Sequence, residues 1–160
     1  MKNKICVNEF QFKKIEKIIV NQKLNLLDET FTFNENEYNF KYLFLLNDFL
    51  FRDFYYNEEI GIRNLNLKEV GQINRYLKAI TYLCINDPDK IKQILNLVEQ
   101  IWSIQPFIVG NARTMIAYLK IISESFLLSV DVDVNREIIS SPNTFKLNTV
   151  VNQKRLTKLK

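Results

Sequence analysis

Residues 102–116 read WSIQPFIVGNARTMI, from Trp102 to Ile116. A helical apolar pattern runs into this stretch, a short Pro-Phe loop crosses it, and Gly110-Asn111-Ala112-Arg113 opens a second helical pattern. The chain has three glycines, three prolines and one tryptophan, and one of each falls here, so scarce turn-forming residues mark this junction. A loop that delivers Gly and Asn to a helix start leaves backbone N–H groups without intrahelical acceptors. Together with the helix dipole, those groups favour an anion. Arg113, one turn into the helix, adds a positive charge. Gly110, Asn111 and Arg113 are therefore candidate phosphate-binding residues. The plainer alternative is a glycine-assisted loop followed by a surface arginine.

The flanking pattern sets the fold class. Upstream, Ile91, Ile94, Leu95, Val98, Ile101 and Trp102 make one apolar helical face. Asp87-Pro88 marks its start, with Asp as the cap and Pro at the first helical position. Downstream, a helix over 111–128 presents Met115, Ile116, Leu119, Ile122, Phe126 and Leu127. Val70, Ile73, Tyr76, Leu77, Ile80 and Leu83 predict another over 70–85. Residues 38–56, YNFKYLFLLNDFLFRDFYY, predict a buried helix whose role is core. At the start, apolar residues at 10, 12, 15, 18 and 19 predict an amphipathic helix over 8–20 with lysines outside. Residues 21–38 read as a polar loop with one helical turn at 24–29. Residues 130–150, with Val130, Val132 and Val134 before Ser140-Ser141-Pro142, read as a strand or an irregular tail. The reading is a single all-α domain over 1–160.

Composition narrows the function classes. At 160 residues, 47% hydrophobic and 25% charged, the chain is long enough for its own core and reads as soluble and globular. It contains no histidine, which removes His-ligated zinc and any histidine base or nucleophile on this chain. Cys6 and Cys84 form no metal or CxxC spacing and imply no disulfide, which suits a reducing cytosol. No run of 18 apolar residues and no signal-peptide core is present, so neither a membrane nor a secretory route is expected. The net charge is +4, and the tail Lys146–Lys160 carries five basic residues and no acid, so the rest is close to neutral. That tail reads as a solvated terminus, and nucleic acid is not the expected partner.

The loop resembles the signature of the Fic (Fido) family, written H-P-F-x-[D/E]-G-N-G-R-x-x-R. Pro106, Phe107, Gly110, Asn111 and Arg113 match it. Gln105 occupies the His position, Val109 the acid, Ala112 the second glycine and Ile116 the final Arg. The 38–56 helix resembles the early Fic helix Leu-x-x-Ile-His-x-x-Leu-Phe-x-Asp-x-Tyr through Leu43, Leu46, Leu50, Phe51, Asp53 and Tyr55, with Asn47 in place of His. Arg63-Asn64-Leu65-Asn66-Leu67-Lys68 resembles the family segment Arg-Thr-Val-Asn-Ile-Ser. The resemblance covers about residues 40–128. It implies a bundle of about six to eight helices and a short β-hairpin flap, with Asn64, Leu65, Asn66 and Leu67 docking a target by strand addition.

The departures bear on the chemistry that the family performs, transfer of AMP from ATP to a protein hydroxyl. Gln105 cannot serve as a base near neutral pH, and general-base catalysis is typically worth about 10²–10⁴ in rate. Val109 cannot ligate Mg²⁺, which takes hard oxygen ligands. Ala112 adds a methyl where backbone approaches phosphate, and Ile116 removes a positive charge. No catalytic residue and no metal site are expected. The resemblance implies a pseudoenzyme, bacterial and cytoplasmic, that acts through a protein partner, with ATP at most a weak ligand and Mg²⁺ not expected. The alternatives are an active transferase of AMP or another phosphate-containing group with altered mechanism, and an unrelated helical interaction protein.

Overall fold

The computed structural model describes residues 8–25, 27, 40–55, 59–132 and 151–153. Among them are five helices: α1 (Glu9–Asn25), α2 (Phe40–Phe51), α3 (Leu67–Asn86), α4 (Ile91–Ile104) and α5 (Asn111–Ser125). Two three-residue strands, β1 (Val130–Val132) and β2 (Val151–Gln153), pair antiparallel, with Asp131 opposite Asn152. The fold is all-α in character, as the apolar periodicity requires. The rest of the expected 21–38 loop and of the 130–150 tail, most of the basic Lys146–Lys160 segment, and Cys6 lie outside the described residues.

α5 is the centre of the bundle. Thr114 through Leu119 are all buried, followed by Ile121 and Ile122, so this helix is enclosed on every side. α2 and α4 pack on it, and α3 packs on α4. α2 buries Leu43, Leu46, Asn47, Leu50 and Phe51 at helical spacing. Its first amide, that of Phe40, is capped from a distance by Asn74 Oδ1 of α3 at 3.0 Å.

α1 closes the other side of α2. Phe12 meets Phe54 and Tyr55 edge-on, at centroid distances of 6.2 and 5.4 Å. Lys23 reaches the end of α2, donating to the Phe49 carbonyl and to Asp53, both at 2.7 Å, where a cation complements the helix dipole. Tyr55 donates its hydroxyl proton to Glu16.

Several boundaries differ from those expected: α2 stops at Phe51 and not at 56, and α3 begins at Leu67, three residues before 70. α1 runs on to Asn25, so its buried stripe is Phe12, Val20 and Leu24, with Ile15 and Ile19 packed beside it. Phe10 and Ile18 fall outside that stripe and are exposed. Asp87 does not cap α4. It ends α3, its N–H bonded to Leu83 O, while Lys90 N–H returns to Asp87 O across Pro88 and Asp89. Pro at the second position of a turn serves as well as Pro at a helix start, and here the turn prevails. α4 begins at Ile91, with Lys90 at its cap and no side-chain capping bond. α5 stops at Ser125, and its end is closed by Leu128 N–H to Ser123 O through a left-handed Leu127 at φ 53°.

No helix among the described residues is long and apolar enough to cross a membrane. Cys84 is a buried free thiol on α3, and burial pushes its pKa up to about 12. Burial also raises the Tyr118 phenol well above its ordinary value.

At alkaline pH the folded chain keeps both protons that the unfolded chain releases, so stability is unaffected at neutral pH and falls as the pH climbs above the ordinary thiol and phenol values toward the raised ones. In a Cys6→Ser background, Cys84 is expected to resist a thiol reagent at about pH 8 until denaturant is added. Rapid reaction of the folded protein would contradict this burial. Leu127 is 83% exposed and gains little from packing. Leu127→Gly is therefore expected to raise the unfolding free energy by about 0.5–1 kcal/mol in urea titrations. A loss of stability would show that the leucine side chain holds a contact.

Candidate functional site

The loop between α4 and α5 is built from the outside inwards by three separate segments. Phe107 anchors it. Its ring is buried and stacks on Phe40 at 5.9 Å, so the Pro-Phe step drops one aromatic into the core. Asn111 then staples the loop shut. It accepts from Phe107 N–H at 2.8 Å and donates to Phe107 O at 2.9 Å, with a longer contact of 3.4 Å to Gln105 Oε1. These bonds use the Asn111 side chain on the loop itself. Gly110, at the cap position of α5, has no side chain to offer, so the helix start receives no side-chain cap.

Asn47 supports the loop from below. It is fully buried on α2, and its Nδ2 donates to Val109 O at 2.9 Å and to Thr114 Oγ1 at 3.0 Å. One carboxamide thus holds both the last turn of the loop and the first turn of α5. Its Oδ1 has no hydrogen-bond partner among the described residues.

The extended segment before α3 closes the third side. Arg63 N–H donates to Pro106 O at 2.8 Å and Ile108 N–H to Gly61 O at 2.9 Å, so Ile62 and Phe107 face each other in one antiparallel bridge. In such a pair the N–H and C=O of Ile62 point away from the loop. The Arg63 side chain donates from Nε to Gln105 O and from Nη2 to Ile104 O, both at 2.7 Å.

Each residue singled out from sequence now has a place. Gln105 ends α4 in a left-handed conformation, φ 56° and ψ 60°, and its side-chain Nε2 donates to Trp102 O at 3.2 Å. Val109 packs against the core by its side chain. Ala112 also lies against the core, and Ile116 is buried within it. Arg113 lies at the loop end of α5, where its guanidinium donates to Asn21 of α1. Asn64 is exposed and Leu65 packs on the core. Asn66 caps α3, accepting from Glu69 N–H at 2.8 Å while Glu69 returns to Asn66 N–H at 3.2 Å, a full capping box. Leu67 opens α3 and is 92% exposed. The expected hairpin flap is therefore a single extended segment with one bridge to the loop, because the capping box at Asn66 starts the helix before a return strand can form.

Gly110 has a steric reason that the sequence did not reveal. Its φ is 74°, and a Cβ there would lie 2.0 Å from the Phe51 ring. Asn21 is likewise a participant that no local pattern announces, and the roles of Phe51 beneath Gly110 and of the Arg63 side chain on α4 follow from the fold alone. Among the described residues, no group of three or more Cys, Asp or Glu comes together that could hold a metal ion. No family model, no curated protein and no solved structure matches the chain.

Gly110→Ala combines a left-handed alanine with a clash against a buried ring, and a loss of about 2–4 kcal/mol of unfolding free energy is expected. Urea unfolding followed by Trp102 fluorescence measures it. An alanine variant as stable as the wild type would contradict the close approach of Phe51.

Proposed function

We propose that this chain is a Fic-like protein that acts by binding, with its loop retained as a shaped surface rather than as a transferase centre. One observation carries the reading. The 43–55 helix that carries Asn47 at the family's His position, the Arg63 segment and the 105–113 loop resemble the family pattern at three points far apart in the sequence, and hydrogen bonds join all three. A chance match confined to the loop would give no reason for that convergence.

The chemistry available there favours binding over catalysis. The position of the family's base holds a carboxamide, which has no basic lone pair near neutral pH. Where a carboxylate would hold magnesium, Val109 presents only hydrocarbon and a carbonyl already taken by Asn47. Ile116 is in the core, so the second arginine of the pattern has been exchanged for packing. What remains for an anion is the uncapped start of α5 beside Arg113. The outer edge of Ile62–Asn64 offers backbone groups to an extended partner strand. A cytoplasmic setting and a protein partner belong to this reading.

Calorimetric titration with ATP tests the loop. Weak binding is expected, unchanged by Mg²⁺ and abolished in Arg113→Ala. Binding that requires Mg²⁺, or that survives Arg113→Ala, would contradict the assigned site. In a transfer assay with labelled ATP the wild-type protein is expected to modify neither itself nor added proteins, and histidine-independent AMP transfer would overturn the proposal.

A further inference from the structure

The left-handed turn at Gln105 is the least comfortable backbone in the site. Residues with a Cβ are disfavoured there, and helix ends that use this conformation take Gly or Asn in preference. Its backbone N–H is bonded to Trp102 O at 2.9 Å and its side-chain Nε2 reaches the same oxygen at 3.2 Å, closing the last turn of α4, while Oε1 makes only a long contact of 3.4 Å to Asn111. The additional hold is Arg63. Its two guanidinium bonds fall on the successive carbonyls of Ile104 and Gln105, at the negative end of the α4 dipole, where charge-assisted bonds are strongest. The guanidinium is steadied from behind by Glu69 at 3.6 Å, and Glu69 is itself fixed in the capping box of α3. A continuous set of contacts therefore runs from the start of α3, through Arg63, to the turn that aims the loop at α5.

The geometry points to Arg63 as a positioning residue: by holding Gln105 left-handed through its guanidinium, it sets the direction of the amides that open α5, and it links the extended segment Ile62–Asn64 to that helix start. The part of this inference that concerns an anion rests on the function proposed above, whereas the part that concerns the turn does not.

The test compares the wild type with Arg63→Ala, Arg63→Lys, Gln105→Gly and the double variant Arg63→Ala/Gln105→Gly. The readouts are the amide resonances of Asn111 and Ala112, Trp102 emission, and titration with sodium pyrophosphate. Arg63→Ala is expected to move those resonances and to weaken pyrophosphate binding about tenfold. Arg63→Lys keeps the charge but cannot span two carbonyls, and should behave like the alanine variant. Glycine needs no help to be left-handed, so the double variant should match Gln105→Gly alone. Resonances unmoved by Arg63→Ala, or a double variant that stays as displaced as Arg63→Ala, would overturn the inference. If wild-type protein does not bind pyrophosphate while the resonances follow the expected pattern, the positioning role stands and the anion reading fails.

Discussion

The carboxamide of Asn47 is the interaction on which the rest of the site depends. It is a polar group taken fully out of water in the middle of an apolar helix face. Such a burial is costly unless hydrogen bonds offset it, and Asn47 Nδ2 makes two, to Val109 O and Thr114 Oγ1, while Oδ1 has no partner among the described residues. Those two bonds cross from α2 to both sides of the loop-to-helix junction. Phe51, one turn further along α2, fills the space beneath Gly110. α2 is thus both a core element and the floor of the loop. The turn above that floor is then narrowly determined, by Asn111 folded back on Phe107 and by Arg63 on the end of α4.

The same bonds explain why a loop with so little catalytic equipment can hold a defined shape. Val109 contributes through its backbone carbonyl, which any side chain would supply, so exchange of a carboxylate for valine leaves this bond intact. Gln105 is held by its own backbone and by Arg63, so the position is structural even with no base in it. Ile116 strengthens the core where an arginine would have to be solvated or paired. On the binding reading, the departures at Gln105, Val109 and Ile116 each remove a chemical group, Ala112 adds a methyl that lies against the core, and the scaffold is left standing. An active transferase would need a base and a metal ligand from elsewhere, and the chain has no histidine to provide the first.

Much of this was legible in the sequence, and the reasons are specific. The helices followed from apolar periodicity, because burial of one face dominates their stability. The loop between α4 and α5 followed from Pro106 and Gly110, residues whose backbone preferences act locally. Other features depend on contacts distant in sequence and carry no local signal. Asn74 caps α2 from α3, Asn21 receives Arg113, and the ring of Phe51 forbids a Cβ at Gly110. The displaced start of α4 and end of α5 each have a local explanation. Asp-Pro serves equally as a turn and as a helix start, and apolar Phe126 and Leu127 extended a periodic pattern past a left-handed stop that nothing in their chemistry announces.

A double-mutant cycle between Asn47 and Thr114 tests the central claim most directly. Asn47→Ala, Thr114→Ala and the double variant would be compared with the wild type by urea unfolding. A coupling of about 1 kcal/mol or more is expected if the buried carboxamide and hydroxyl hold the junction together. Strictly additive losses would contradict the account, since the loop would then owe its shape to packing and not to the bond from α2.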